Sequence, residues 1–277
     1  MKSFYIITNS TRDEDLAFTR QIEEFFRKNG LSFFTHIADV NNGETYTDEN
    51  KIPKDTDCVI VLGGDGTMIQ AAHDTADLDL PLLGINLGRI GYLADVEKVN
   101  INESLTDLIN GRYKIEERMM ISGEIVTPSA PNHDKNRSLN DIVIHRGGEM
   151  RVVNYKVYIN DKFLYDFRAD GMIVSTPTGS TAYSMSAGGP IVEPMSEMMI
   201  ITPICPHTIN SRSTVFSSKD KIRISAEGYE VYACFDGHIS VPMTEKDEIL
   251  IMRSSKTTKL VRLKDDSFLT VLHDKFQ

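Results

Sequence analysis

Cysteine is scarce in this chain. Cys58, Cys205 and Cys234 lie far apart and form no CxxC pair. That excludes a disulfide framework and suits reduced thiols. The seven histidines are scattered, and no His/Cys cluster has the spacing of zinc ligands, so no metal site is assigned to the chain. No run approaches the ~18 apolar residues of a membrane helix. The apolar stretch in Met1–Thr8 is too short for the core of a signal peptide. A cytoplasmic chain without a membrane partner is expected. Basic residues are outnumbered, 30 Lys and Arg against 40 Asp and Glu, for a formal net charge of −10. Such a balance disfavours nucleic acid as a partner. An anionic small molecule stays open, provided helix N-termini, a few arginines or bound Mg²⁺ compensate locally. Several motifs are also missing: GxxxxGK[ST] of the P-loop, GxGxxG, GxSxG and HExxH.

The remaining composition is ordinary for a soluble globular protein, and 277 residues suggest two domains. Strand-like and helix-like segments alternate over the first ~110 residues, the pattern of a parallel α/β sheet. The expected strands are Phe4–Ile7, Leu31–Ile37, Cys58–Leu62 and Pro81–Ile85. The expected helices are Asp13–Lys28, ended by Asn29-Gly30, and Asn102–Asn110. After about Tyr113 short strands take over. A hairpin is expected from Val153–Ile159 through Asn160-Asp161 to Lys162–Phe167, and an exposed loop over Thr127–Ser138.

One stretch joins these patterns to chemistry. Gly63-Gly64-Asp65-Gly66-Thr67 follows an apolar strand and precedes a helix-like segment. Glycines expose backbone N–H groups, and a helix N-terminus adds its positive dipole end, which suits a polyphosphate. Asp65 is out of place beside phosphates unless it has a chemical task. The five residues fit equally well a plain strand-to-helix turn with Asp65 as N-cap. From Asp170 to Pro190 small hydroxyl residues and glycines surround Tyr183, a composition that lets a ligand approach closely and a base stack. Asn140-Asp141 reads alone as an Asx turn, and Asp236-Gly237 as a hairpin turn. His73 and His207 have no partner constellation and read as structural.

Taken together these stretches resemble the NAD kinase family. Gly63–Thr67, Gly84–Leu93, Asn140-Asp141, Asp170–Val192, Pro203–Thr208 and Asp236-Gly237 occur in the family's order. The Ser175–Tyr183 run is the most specific of them. The resemblance implies an N-terminal Rossmann-like parallel α/β domain (1–113) and a C-terminal β-sandwich-like domain (114–255). It also implies a tail of about 256–277 returning to the first domain, and a site in the crevice between the two. It implies phosphoryl transfer from ATP, with Mg²⁺ or another divalent cation, to the 2′-hydroxyl of the adenosine ribose of NAD, giving NADP. A homo-oligomer, dimer or tetramer, is part of the same expectation.

By the same resemblance, Asp65 is the general base that accepts the hydroxyl proton. Gly63, Gly64, Gly66 and Thr67 bind the ATP phosphates, and Gly66 also touches NAD. Asn140 and Asp141 hold the adenosine ribose and base. Thr178, Thr181 and Ser186 form the adenine side, with Tyr183 stacking, and Ala182, Ser184 and Met185 also bind NAD. Asp170 contacts the nicotinamide amide, while Arg151 and Arg168 offset the diphosphate. Two positions depart from the family's usual pattern: Asp141 stands where Glu is usual, and His238 where Gln is usual. Inorganic polyphosphate is an alternative donor. A lipid kinase on the same architecture and a non-catalytic NAD-binding module are the alternative functions.

Overall fold

The structure, a computed structural model, describes residues 1–38, 47–88, 91–94, 96–127, 136–148, 152–207, 212–263 and 268–276. The chain folds as two compact units, Met1–Glu117 with Lys256–Gln277, and Arg118–Ser255.

In the first unit β1 (Ser3–Asn9), α1 (Ala17–Lys28), β2 (Ser32–Ala38), β3 (Cys58–Gly63), α2 (Asp65–Asp74), β4 (Pro81–Asn86), β5 (Val96–Glu97) and α3 (Ile101–Ile109) follow one another. The strands pair in the order β2-β1-β3-β4, all parallel, and β5 adds to β4. Every residue of β3 is buried, as a strand covered on both faces requires. Phe26 of α1 stacks on Phe4 of β1 with ring centroids 4.3 Å apart. The helix expected from Asp13 begins instead at Ala17. Asp13 is buried, and its carboxylate accepts the N–H groups of Phe18 (3.2 Å) and Thr19 (2.8 Å), while Leu16 turns left-handed at φ 53°. The acidic side chain thus caps the helix from outside it rather than joining its first turn. At the other end, Leu31 N–H reaches Phe26 O and Gly30 N–H reaches Arg27 O, with Gly30 at φ 66°. This closes the helix as its Asn-Gly ending predicts.

The chain enters the second unit along β6 (Lys114–Val126). There it forms β7 (Asn136–Ser138), β8 (Asp141–Arg146), β9 (Val153–Ile159), β10 (Lys162–Ala169), β11 (Gly171–Ser175), the short α4 (Tyr183–Ser186), β12 (Met198–Ile204), β13 (Thr214–Ser217), β14 (Ile222–Glu227), β15 (Val231–Phe235) and β16 (Ile239–Met243). β17 (Glu248–Arg262) leads back to the first unit, where α5 (Phe268–Phe276) ends the described chain. One antiparallel sheet runs β13-β12-β11-β8-β15-β16, and a second ladder runs β10-β9-β14-β17. Alternate residues from both share a core: Ile142, Val174 and Phe235 from the first, and Tyr155, Ile224 and Ile251 from the second. The β9–β10 hairpin turns at Asn160 (φ 49°) and Asp161 (φ 64°), the paired left-handed residues of a tight two-residue turn. Lys259 and Leu260 of β17 then pair in parallel with Pro81 and Leu82 of β4. An α/β unit with a parallel sheet and an antiparallel β-sandwich are therefore both present. The expected loop at Thr127–Ser138 falls largely on residues 128–135, outside the described residues, and its end forms β7. No helix of the described residues is long and apolar enough to cross a membrane.

Candidate active site

The acidic glycine turn sits at the carboxyl end of β3. Gly64 is the N-cap of α2 and Asp65 its first helical residue, so Asp65 is not the cap. The first intrahelical bond runs from Met68 N–H to Gly64 O (3.1 Å). The N–H groups of Asp65, Gly66 and Thr67 precede it and open onto the helix end. Asp65 is anchored by a short strap: Tyr92 N–H donates to its Oδ2 (2.8 Å) and Leu93 N–H to its Oδ1 (3.1 Å). Gly91 lies so close that a Cβ there would fall 1.9 Å from Asp65 Oδ1.

The glycines differ in what they answer to. A Cβ on Gly63 would sit 2.3 Å from Thr67 Oγ1, so Gly63 makes room for Thr67, whose hydroxyl also accepts from Asn9 Nδ2 (3.3 Å). A Cβ on Gly64 or Gly66 would meet nothing within 4 Å among the described residues, and neither has a positive φ. Neither packing among the described residues nor backbone strain asks for glycine there, and the bare backbone is open to close approach.

The second unit contains a cavity of about 680 Å³ bordered by Asn140, Asp141, Arg146, Asp170, Tyr183 and Asp236, among others. Its floor is tied down by Asp236. The Asp236 carboxylate accepts three consecutive backbone N–H groups, those of Leu139 (2.7 Å), Asn140 (2.8 Å) and Asp141 (3.0 Å). Asp236 itself is left-handed at φ 49°, in the turn between β15 and β16. Burial, and then repulsion from Asp236, push the Asp141 carboxyl up to about 7. Arg146 reaches Asp170 with Nη2 to Oδ2 at 3.3 Å, so the cavity wall carries a cation. Tyr183 is 46% exposed and borders the cavity.

The raised Asp141 carboxyl has a consequence for stability. Its folded value of about 7 lies above the ordinary 3.8, so the fold binds an extra proton between the two. Stability contributed by this group is full below the ordinary value and falls by about 1.4 kcal/mol per pH unit as pH rises toward the folded one. Asp141→Asn is expected to melt higher than the wild type at pH 8, with the gap closing toward pH 4. Equal midpoints at both pH values in thermal scans would contradict it.

The expected site residues are distributed unevenly. Asn140, Asp141, Asp170, Ala182 and Tyr183 border one cavity. Thr178 is buried and accepts from Arg118 Nη1 (3.2 Å), while Thr181 Oγ1 donates to Thr178 O (3.3 Å). Ser184 is fully buried, its hydroxyl paired with Thr202 (3.1 Å), and it does not face the cavity. Met185 and Ser186 are exposed on α4 and do not border it. Many hydroxyls of this loop serve the loop itself. Thr176 Oγ1 donates to Leu139 O (2.6 Å), and Ser180 Oγ to Pro177 O (2.7 Å). They fasten it against Asn140, whose carbonyl oxygen would lie 2.1 Å from a Cβ on Gly179. Arg168 is exposed, opposite in alternation to buried Phe167 and Ala169 on β10, and does not border the cavity. Arg151 lies outside the described residues. His238 is exposed in the β15–β16 turn, and His207 donates its backbone N–H to Arg168 O. Asp236 and Arg146 were not expected as site residues. The Asp-Gly turn signal marks the position of Asp236 but not the direction of its carboxylate, and no motif marks Arg146. Among the described residues, no group of three or more His, Cys, Asp or Glu side chains could hold a metal ion.

Comparison with known proteins bears on both units. Residues 9–113 match a family model described as the ATP-NAD kinase N-terminal domain, and residues 139–263 one described as the ATP-NAD kinase C-terminal domain. The chain is 43% identical to an NAD kinase of Lachnoclostridium phytofermentans over 284 residues, covering 100% of this chain and 99% of that protein. Among solved structures, yeast NADH kinase complexed with NADH matches with a TM-score of 0.83 at 24% identity, over 100% of this chain and 87% of the other. An NAD kinase from Archaeoglobus fulgidus in complex with ATP matches with a TM-score of 0.79 at 25% identity, covering 98% of each chain. With both halves matched and the acidic glycine turn and its strap in place, the chain belongs to the NAD kinase family.

Proposed function

We propose that this enzyme, which phosphorylates NAD to NADP, does so with Asp65 as general base. The adenosine of NAD lies in the cavity bordered by Asn140, Asp141 and Tyr183. Its 2′-oxygen attacks the terminal phosphorus of ATP, the bond to the ADP oxygen breaks, and the hydroxyl proton passes to Asp65. A ribose hydroxyl is a poor nucleophile unless its proton has an acceptor in the transition state. The observation that carries this reading is the anchored carboxylate. Each oxygen of Asp65 accepts one strap N–H, which leaves lone pairs on both for the incoming proton. The open positions at Gly64 and Gly66 give the donor phosphates a path to the N-terminal amides of α2.

The divalent cation enters with the donor, as Mg-ATP. Arg146 supplies the cation beside the NAD diphosphate, a role the family resemblance implies for Arg151 and Arg168. Thr178, Thr181 and Ser186 shape the adenine side through the loop rather than from the cavity wall. A homo-oligomer, dimer or tetramer, in the cytoplasm completes the proposal. The test is an activity matrix of NAD and NADH against Mg-ATP and polyphosphate, with a long-chain lipid acceptor as control. NADP from NAD and Mg-ATP is expected. Phosphorylation of the lipid alone, or NAD binding without product from any donor, would overturn it.

A further inference from the structure

The strap that anchors Asp65 is itself held by the returning tail of the chain. Near the end of β17, Arg262 donates from Nη1 to Leu93 O (3.2 Å) and from Nη2 to Tyr92 O (3.4 Å). Its Nε pairs with Glu116 Oε2 at 2.6 Å, and both side chains are mostly buried. These are the two residues whose N–H groups bind Asp65. The peptide between them is a rigid trans plane, in which the Tyr92 carbonyl and the Leu93 N–H point in opposite directions. Arg262 thus pins one end of a plane whose other end holds Asp65 Oδ1. A second contact comes from α5, where Lys275 lies 4.8 Å from the centroid of the Tyr92 ring.

We infer that Arg262 is a positioning residue for phosphoryl transfer, aiming the Asp65 carboxylate through the Tyr92–Leu93 peptide. This rests on Asp65 being the base. Arg262 touches no reacting atom in this role. Its planar fork reaches two carbonyls and a carboxylate at once, which a point-charge ammonium cannot do. The tail therefore contributes to catalysis as well as to the sheet.

The discriminating variant is Arg262→Lys, which keeps a cation for Glu116 and so favours folding. It is expected to lower kcat by about 10- to 100-fold, the usual loss when a reacting group is misplaced by about 1 Å. The KM for NAD should remain near wild type, while the thermal midpoint falls slightly as the carbonyl hydrogen bonds are lost. In an Asp65→Asn background the same change should cost nothing further, because the group it aims is gone. Glu116→Gln, which removes the charge that pairs with Arg262 Nε and leaves the strap residues unchanged, should give a smaller loss of the same kind. Full kcat in Arg262→Lys, a rise in KM alone, or equal losses in both backgrounds would overturn the inference. Wild-type turnover by Asp65→Asn alone would instead remove the base, and this inference with it.

Discussion

Asp65→Asn is expected to lower kcat by about 10²- to 10⁴-fold while calorimetric affinity for NAD stays close to wild type. The amide keeps the size of the carboxylate but cannot take a proton from a hydroxyl at neutral pH. It also places an NH₂ group against one of the two strap N–H donors, at Tyr92 or Leu93. A small fall in thermal midpoint is therefore expected, since a partly buried donor loses its acceptor. The two effects separate cleanly: lost anchoring shows in the midpoint, and the lost base shows in kcat. Steady-state kinetics with NAD and Mg-ATP, beside calorimetry of NAD alone, measures both. A variant that binds NAD poorly yet turns over normally at saturation would make Asp65 a binding residue instead.

Gly91→Ala should be nearly as damaging, although Gly91 carries no functional group. The added Cβ would lie 1.9 Å from Asp65 Oδ1 and 2.4 Å from its Cγ, inside any permitted contact. Either the carboxylate rotates away or the strap retreats, and both misplace the base. A loss of about 10² in kcat is expected for a displacement of about 1 Å. The KM for NAD should change little, because the cavity bordered by Asn140 and Tyr183 lies in the other unit. Normal kcat in Gly91→Ala would show that the strap does not set the position of the carboxylate.

The sequence makes the elements of the first unit legible because their signals are local. An apolar run such as Cys58–Leu62 and a stop such as Asn29-Gly30 need only their neighbours, and both are where their patterns place them. The start of α1 is misplaced because Asp13 caps from outside the helix, an arrangement that depends on a left-handed Leu16. Within the site, Asp65 stands out as a charge where its surroundings suit phosphate. The strap that holds it acts through backbone N–H groups, which no side-chain pattern announces. Asp236 shows the same limit, since a turn signal does not say that the carboxylate reaches back across 95 residues to the Asp141 N–H. Hydroxyl-rich composition between Ser175 and Ser186 also has two physical uses, binding a ligand or fastening a loop. Thr176, Ser180 and Ser184 take the second.

Departure from the family's usual Glu at Asp141 gains meaning from the same geometry. Asp141 is buried, its own N–H donates to the Asp236 carboxylate, and the two carboxyl groups border the same cavity. Repulsion between them, added to burial, is what raises the Asp141 carboxyl.

The most direct measurement of the account follows ADP and NADP together when purified protein is mixed with NAD and Mg-ATP, for the wild type and for Asp65→Asn. The wild type should release one NADP for each ADP, with the new phosphate on the 2′-oxygen of the adenosine ribose, and the variant should form both only slowly. ADP without NADP from the wild type, or NADP at the wild-type rate from the variant, would contradict it.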